Sequence, residues 1–256
     1  MLRTRVIPCL QLIDESLVKT VKFDNHGYIG DPKNTVRIFN ELEVDELCFL
    51  DIRATVQKRE PNFKILSEIA NECFMPLAYG GGIKNVKTAL KILNIGFEKV
   101  AINTAAYENP DLINQISEEA GSQSVIVSID VKKNWLGKYF VYTNDGRNKV
   151  KIDPVEYAQE VAEKGAGEIL LTSMNNEGTW EGYDLEIIKK VSNEVDIPVI
   201  ALGGAGNITH IAQAVKEAGA SAVGLGSMVV YQKKGMGVLV NFPEKKVLKQ
   251  ELMLRY

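Results

Sequence analysis

The sequence predicts an α/β protein with a single domain, a (β/α)8 TIM barrel built from two fused half-barrels. Three observations support this prediction: a length of 256 residues, a regular alternation of apolar strand-length segments with amphipathic helical segments, and an internal repeat. A barrel of this class commonly needs about 200–250 residues as one unit. Its parallel strands are buried on both faces, so each is expected to be apolar almost throughout.

Eight segments have the length and apolar character of buried strands. In chain order they are residues 6–12, 46–52, 75–80, 99–103, 124–131, 168–173, 197–203 and 221–227. Seven helical patterns follow them, and several begin at Asp or Asn and end at Gly, as capped helices do. The helical patterns are residues 34–44, 62–73, 85–96, 109–121, 153–165, 184–195 and 207–219. Strands and helices that alternate in this number close into a barrel.

An internal repeat divides the 1–256 chain into half-barrels of about 1–120 and 121–227, followed by an atypical segment, 228–256. Four strand segments of the first half match four of the second half, in the same order and at nearly constant spacing. The clearest match places MPLAYGGGIKN over IPVIALGGAGN. General similarity between βα units is the alternative explanation for the repeat.

The composition is that of an ordinary globular protein, with 45% hydrophobic residues, 25% charged residues and a net charge of -3. This charge argues against nucleic-acid and membrane-surface partners. Three cysteines within apolar segments indicate reduced thiols and a cytoplasmic location. The two histidines have no Cys or His at ligand spacing, so no metal site is expected. No cofactor is predicted either.

In barrels of this class, functional groups gather at the C-terminal ends of the strands. Glycines there let backbone N–H groups approach an anion, and a following helix N-terminus favours negative charge. A turn glycine is the simpler explanation for each cluster alone, but a symmetric pair of clusters predicts two phosphate sites. The predicted site residues are Gly81, Gly82, Asn103 and Thr104 at one site, and Gly203, Gly204, Gly226 and Ser227 at the other.

Between these two sites, the repeat pairs Gln11 with Asp130 at the tops of strands one and five. Asp130 can act as a general acid or base, whereas a glutamine cannot exchange a proton near neutral pH. Gln11 can therefore orient a ligand but cannot replace a base. Asp51, at the top of strand two, is the next carboxylate available, and its alternative role is that of a loop or cap residue.

Charged residues also occur at the opposite, N-terminal ends of strands one, two, four and six. They are Arg5, Glu46, Lys99 and Glu168. These charges could form a solvated ring of salt bridges, or they could gate an opening through the floor of the barrel. Their spacing leaves both interpretations open.

Several motifs closely resemble the cyclase subunit of imidazole glycerol phosphate synthase. They lie within residues 1–227 and are VIPCLQL, PLAYGGGIKN, KVAINTAA, GAGEILLTSM and IPVIALGGAGN. The resemblance implies a barrel that docks a glutaminase subunit at its N-terminal face and passes ammonia to its C-terminal mouth. There, the ammonia would react with a bisphosphate ribulosyl aminoimidazole precursor.

The resemblance also implies roles for individual residues. The charged residues at the N-terminal ends of the strands are expected to form the ammonia gate, and the two glycine clusters are expected to bind phosphate. Lys19, predicted on a polar loop after strand one, corresponds to a lysine of a mobile lid. Asp130 corresponds to the second of the family's two catalytic aspartates.

Three positions depart from the family pattern. Gln11 stands at the first catalytic aspartate, Glu177 at another aspartate, and Leu202 at a small polar residue beside the second phosphate site. Loss of a general acid or base typically costs about 10²- to 10⁴-fold in rate. Gln11 and the segment 228–256 make the chain more similar to a paralogous branch associated with surface-polysaccharide genes. Those proteins work with a glutaminase and a separate amidotransferase to convert a sugar acetamido group to an acetamidino group.

The sequence is therefore compatible with three functions. The first is an ammonia-delivering barrel in sugar amidation, which would explain a retained gate beside a missing carboxylate. The second is an authentic cyclase of histidine biosynthesis that uses Asp130 and Asp51. The third is a non-catalytic subunit that activates the glutaminase and conducts ammonia only.

Overall fold

The computed structural model describes residues 4–252. The strands are β1 (Arg5–Ile13), β2 (Ser16–Val21), β3 (Asp24–Gly30), β4 (Leu47–Asp51), β5 (Leu77–Gly80), β6 (Lys99–Ile102), β7 (Val125–Lys133), β8 (Tyr139–Thr143), β9 (Asn148–Lys149), β10 (Glu168–Ser173), β11 (Val199–Leu202) and β12 (Ala222–Leu225). The helices are α1 (Pro32–Glu41), α2 (Phe63–Glu72), α3 (Val86–Ile95), α4 (Thr104–Glu108), α5 (Asp111–Ala120), α6 (Pro154–Glu163), α7 (Leu185–Ser192), α8 (Ile208–Lys216), α9 (Ser227–Val230) and α10 (Lys245–Leu252).

Eight of these strands form a closed parallel barrel, in the order β1, β4, β5, β6, β7, β10, β11 and β12. Strand β12 returns to pair with β1, which closes the barrel. Each of the eight predicted strand segments overlaps one of these strands, and each predicted helical pattern overlaps a helix on the outside. The predicted TIM barrel is therefore confirmed.

The helices begin where the sequence places capping residues. The side chain of Asn85 accepts a hydrogen bond from the N–H of Thr88 at 2.9 Å, and Asn207 does the same for His210 at 3.0 Å. Each cap satisfies a backbone donor of the first helical turn, which typically contributes about 1 kcal/mol. Gly96 ends α3 with a φ of 123°, a conformation that favours glycine.

The buried core has two layers, because the barrel strands are covered on both faces. The larger layer lies between the barrel and the helices. The smaller layer fills the inside of the barrel and consists of Ile7, Cys9, Cys48, Ala78, Ala101, Ile126, Leu170, Ile200 and Ala222. More than half of these inner side chains are Ala or Cys, so the barrel centre is lined by small apolar groups. Cys9 and Cys48 are free thiols.

Two antiparallel hairpins at the C-terminal rim are absent from the prediction. Strands β2 and β3 follow β1, and strands β8 and β9 follow β7, so both halves of the barrel begin with the same arrangement. The turns of the two hairpins meet above the mouth, since a Cβ atom added at Gly146 would lie 3.2 Å from Phe23 Cδ1. The hairpins therefore form a roof over the C-terminal end of the barrel.

The placement of Lys19 on a polar loop is wrong. Lys19 lies within β2, and only 6% of its surface is exposed. Strand β2 pairs with β1 on one side and β3 on the other, which draws this part of the chain into the protein. The lysine therefore belongs to a packed strand.

The C-terminal segment completes the ring of helices. Tyr231 and Val238 form an isolated antiparallel bridge, and α10 then packs against α8 with Leu248 buried. Residues 253–256 of the predicted atypical segment lie outside the described residues. Among the helices of residues 4–252, none combines the length and the apolar character needed to cross a membrane.

Candidate functional site

An open cleft lies at the C-terminal mouth of the barrel. Both predicted glycine clusters line this cleft, together with Gln11, Lys19 and Asp130. The structure thus brings the predicted ligand-binding and catalytic residues into one site. Within residues 4–252, no group of three or more His, Cys, Asp or Glu side chains is arranged to hold a metal ion.

Glycine is required at the paired loops that follow β5 and β11. Gly81 has a φ of 127° and Gly203 a φ of 99°, both in the region that L side chains rarely adopt. An added Cβ at Gly81 would lie 2.5 Å from the carbonyl oxygen of Asp51, and one at Gly203 would lie 2.6 Å from that of Ser173. The two loops therefore need glycine for the close approach of neighbouring backbone.

The first predicted phosphate site is held together by internal hydrogen bonds. The Asn103 amide donates to the Ser128 carbonyl oxygen at 3.0 Å and to Asp130 Oδ2 at 3.2 Å. The Thr104 hydroxyl donates to Asn103 Oδ1 at 3.3 Å and accepts the Asn144 N–H at 2.9 Å. These bonds fix Asp130 and the β8–β9 turn against the start of α4.

Asp130 is the carboxylate best suited to proton transfer. Only 9% of its surface is exposed, and burial raises the pKa of this carboxyl to about 7. The hydroxyls of Thr172 and Ser128 oppose this rise in the pKa by hydrogen bonding, and the negative charge of Asp145 adds to it. An acid with a pKa near the working pH can both donate and accept a proton.

Asp145 is a second carboxylate in the cleft, and it is not among the predicted site residues. It lies in the β8–β9 turn, where Asn144 and Asp145 have φ values of 55° and 57°. Burial raises the pKa of Asp145 to about 6, and the positive charges of Arg53, 3.9 Å away, and of Arg147 oppose the rise. The Asn-Asp-Gly sequence between two strand-like segments is a hairpin signal that could have located this residue.

Gln11 is bonded to the hairpin that covers the mouth. Its side-chain oxygen accepts the Thr20 N–H at 2.9 Å, and its amide nitrogen lies 3.0 Å from the Thr20 hydroxyl. Both ends of the Gln11 amide are therefore used to hold β2. In this structure the residue connects the hairpin to the barrel wall.

Lys19 points into the other end of the cleft. Its ammonium group forms an ion pair with Glu177 and donates to the Thr20 carbonyl oxygen at 3.1 Å. A Cβ atom added at Gly226 would lie 2.8 Å from Lys19 Cε, so the lysine packs on the second predicted phosphate site. Burial lowers the pKa of Lys19 to about 7.

The remaining departures from the family pattern also border the cleft. Glu177 accepts the Phe23 N–H at 3.2 Å, which ties the loop after β10 to the hairpin roof. Leu202 lines the cleft at the end of β11, and a Cβ atom added at Gly224 would lie 2.8 Å from its Cδ1 atom. The second end of the cleft is therefore closely packed.

Asp51 serves as a cap in this structure. One of its oxygens accepts the N–H groups of Arg53 and Ala54 at 3.1 and 3.0 Å, and Arg59 lies 2.8 Å from the other. Burial raises the pKa of Asp51, and its bonds with Arg59 oppose the rise. The interpretation of Asp51 as a cap aspartate thus describes the contacts that it makes.

The four charged residues at the N-terminal ends of the strands form one cluster. Arg5 lies 2.6 Å from Glu46 and 2.7 Å from Glu168, and Lys99 lies 3.2 Å from both glutamates. Glu46 is 3% exposed and Glu168 is 9% exposed, so the ring is part of the barrel floor. Every cation in this cluster contacts both glutamates.

The fold and the site define a (β/α)8-barrel protein with a polar, glycine-lined cleft at one end and a ring of ion pairs at the other. The chain belongs to the histidine biosynthesis protein family, whose sequence profile matches residues 5–235. The predicted resemblance is therefore confirmed at the level of the family.

Three curated relatives are similar along almost their whole length. A Pseudomonas aeruginosa protein named "Putative imidazole glycerol phosphate synthase subunit hisF2" is 47% identical over 244 residues, 95% of this chain and 97% of the relative. A Leptospira borgpetersenii protein with the name "Putative imidazole glycerol phosphate synthase subunit HisF" is 47% identical over 244 residues, 95% and 96% of the two chains. The Vibrio vulnificus "Putative imidazole glycerol phosphate synthase subunit hisF3" is 44% identical over 255 residues, 99% and 98% of the two chains.

Proposed function

We propose that the chain is the synthase subunit of a glutamine amidotransferase system. It takes up ammonia at the N-terminal end of the barrel and delivers it to a ligand in the C-terminal cleft. A glutaminase subunit docked on the N-terminal face is the proposed source of the ammonia. The names of the relatives support the general role of a synthase subunit.

The proposed ammonia route begins at the cluster of Arg5, Glu46, Lys99 and Glu168. The cluster is held by ion pairs with N–O distances of 2.6 to 3.2 Å, so ammonia can enter only when a pair opens. Beyond it lies the inner core layer, whose small apolar side chains offer no charge to trap the neutral molecule. Cys9 and Ala101 belong both to this layer and to the lining of the cleft, so the layer leads to the proposed ligand site.

The side chain of Gln11 is the single observation that carries our choice of acceptor. The amide cannot transfer a proton near neutral pH, and its bonds to Thr20 commit it to holding the hairpin. The acceptor we favour is the acetamido group of a surface-polysaccharide sugar, amidated together with a separate amidotransferase. Histidine-pathway cyclisation is the second candidate, because the relatives are named as subunits of that synthase and Asp130 is present. A barrel that only activates the glutaminase and conducts ammonia is the third.

The test is to supply the purified protein with ammonium and the ribulosyl aminoimidazole bisphosphate precursor. We expect turnover at least about 10²-fold below that of a cyclase with both carboxylates. Gln11→Asp should raise this rate if the ligand loops still accept the precursor. Gln115→Asp, on the exposed side of α5, is the matched control. Turnover at the rate of an authentic cyclase would reject sugar amidation and the conduit role together.

A further inference from the structure

The charges that line the cleft are distributed unevenly. Four carboxylates face it, and two of them are neutralised by a close cation, Asp51 by Arg59 at 2.8 Å and Glu177 by Lys19. The other two are Asp130 and Asp145. The groups that hydrogen-bond Asp130 are neutral. Arg53 approaches Asp145 only to 3.9 Å, Arg147 acts on it more weakly, and neither arginine lines the cleft. Among the side chains that line the cleft, those at this end therefore carry excess negative charge.

The excess charge coincides with the first glycine loop. Asp130 is bonded to Asn103, and the N–H of Asn144, the residue before Asp145, is bonded to Thr104. Asn103 and Thr104 follow β6, next to the strand that leads into Gly81 and Gly82. A phosphate bound at this loop would therefore have a carboxylate as its neighbour, and like charges repel strongly in a partly desolvated site.

Three hydrogen-bond donors of this loop are also engaged already. The N–H of Gly82 donates to the Thr55 hydroxyl at 3.3 Å, and the Thr104 hydroxyl donates to Asn103. The Asn103 amide in turn bonds Asp130. Phosphate binding relies on several convergent donors or a cation, whereas the carboxylates at this end offer acceptors for hydroxyl and N–H groups.

The opposite end of the cleft carries no excess negative charge, because Lys19 balances Glu177 there. Lys19 is the one cation among the described residues that line the cleft, and it packs directly on Gly226. Gly203 and Gly204, with φ values of 99° and 108°, follow β11, which pairs with the strand that leads into Gly226. They precede the nine-residue helix α8. A phosphate is best accommodated at this end.

We infer that Asp145 determines ligand specificity, so that the cleft takes a ligand with one phosphate at the Lys19 end and a hydroxyl- or amide-bearing group at the Asp145 end. A singly phosphorylated sugar has this chemistry, and a ligand with a phosphate at each end does not. The inference rests on the proposed function for the location of the ligand site. It concerns binding alone, and it does not depend on the route or the fate of ammonia.

The experiment is a titration of the ¹⁵N-labelled full chain with inorganic phosphate, followed by amide NMR shifts. It is run at pH 6.5, where Lys19, with a pKa of about 7, and Asp145, with a pKa of about 6, are both mostly charged. In the wild-type protein, the amides of Gly204 and Ser227 should shift while those of Gly82 and Thr104 stay in place. In Asp145→Asn, and equally in Asp145→Ser, the amides of Gly82 and Thr104 should shift too. We expect these variants to bind phosphate at that loop about tenfold more tightly than the wild type, because a like charge has been removed.

Asp196→Asn is the matched control, since Asp196 is exposed and lies before β11 at the opposite end of the barrel. It should leave both sets of amides as they are in the wild type. The inference is overturned if phosphate shifts the Gly82 and Thr104 amides of the wild type at the same concentration as those of Gly204. It is also overturned if neither Asp145 variant gains binding at that loop. Either result leaves the ammonia assays of the proposed function unaffected, so the two can fail separately.

Discussion

The bonds between Gln11 and Thr20 predict how firmly the hairpin covers the cleft. Gln11→Ala removes the acceptor of the Thr20 N–H, at 2.9 Å, and the amide beside the Thr20 hydroxyl, at 3.0 Å. A hydrogen bond of this kind contributes about 1 kcal/mol net, so the two together are worth about 2 kcal/mol. Thr20 is 4% exposed, so its N–H has no ready replacement from solvent while the hairpin is closed.

The measurement is native-state amide hydrogen exchange of Thr20 and its neighbours in β2. An opening free energy that is lower by about 2 kcal/mol should reduce the protection of the Thr20 amide about 30-fold. Gln11→Glu should retain most of the protection, because a glutamate has the same reach and its carboxylate accepts both the N–H and the hydroxyl. Gln11→Asp is shorter by one methylene, about 1.5 Å, so it should behave like the alanine variant.

The control and the refuting result are both measured as the hydrogen-exchange protection of the Thr20 amide in β2. Gln115→Ala, on the exposed side of α5, should leave the protection of Thr20 unchanged. If Gln11→Ala also leaves it unchanged, the bonds to Thr20 do not hold the hairpin. Gln11 would then have to be explained by contacts with the ligand.

Three further outcomes are expected. Lys99→Met breaks the ion pairs with Glu46 and Glu168 of the proposed gate. The glutamine hydrolysed per product formed should therefore rise several-fold in the proposed complex with a glutaminase, whereas Lys87→Met should change nothing. Unaltered coupling would reject the gate. In the wild type, the folded Asp130 carboxyl, with a pKa of about 7, keeps a proton that the unfolded chain releases, so the free energy of unfolding falls as the pH rises from about 4 to 7. Asp130→Asn should remove this pH dependence, up to about 4 kcal/mol, as measured by urea unfolding. Parallel curves of stability against pH for the two proteins would contradict this. Gly178→Ala places a Cβ atom 2.7 Å from the Thr20 carbonyl oxygen at a φ of 74°. Urea unfolding should therefore show a free energy of unfolding that is lower by about 1–2 kcal/mol. An unchanged midpoint would mean that β2 moves aside freely.

The barrel could be predicted from the sequence because its strands have a simple physical pattern. A strand such as Glu168–Ser173 is buried along its whole length, and it therefore stands out as an apolar run between capped helices. The repeat added a second constraint, since matching segments must occupy equivalent places. The glycine loops were predictable for a similar reason, because close backbone contacts at Gly81 and Gly203 leave no room for a side chain.

The hairpins lack such a pattern. Strand β3 (Asp24–Gly30) is exposed over its first five residues and contains two glycines, so its sequence is typical of a turn. Strand β2 is buried through pairing on both sides, which depends on long-range contacts that no local periodicity reveals. Lys19 and Asp145 lie on these hairpins, so the strand position of the first and the site position of the second could not be predicted from the barrel pattern alone.

The repeat also shows that two equivalent positions at the mouth of the cleft make different contacts. Gln11 and Asp130 occupy matching places at the tops of β1 and β7, and each strand continues into a hairpin. In the second half the side chain at this place is a buried acid, and the adjoining hairpin adds Asp145 to the cleft. In the first half the side chain is an amide that bonds the hairpin and thereby holds Lys19 at the other end. A carboxylate at position 11 that transferred protons would lose or weaken its bond to Thr20. Glutamine at this position therefore exchanges a second acid for a hairpin that is held over the cleft. The role that we propose, in which ammonia is confined around a ligand and one main group transfers protons, gives this exchange a physical reason.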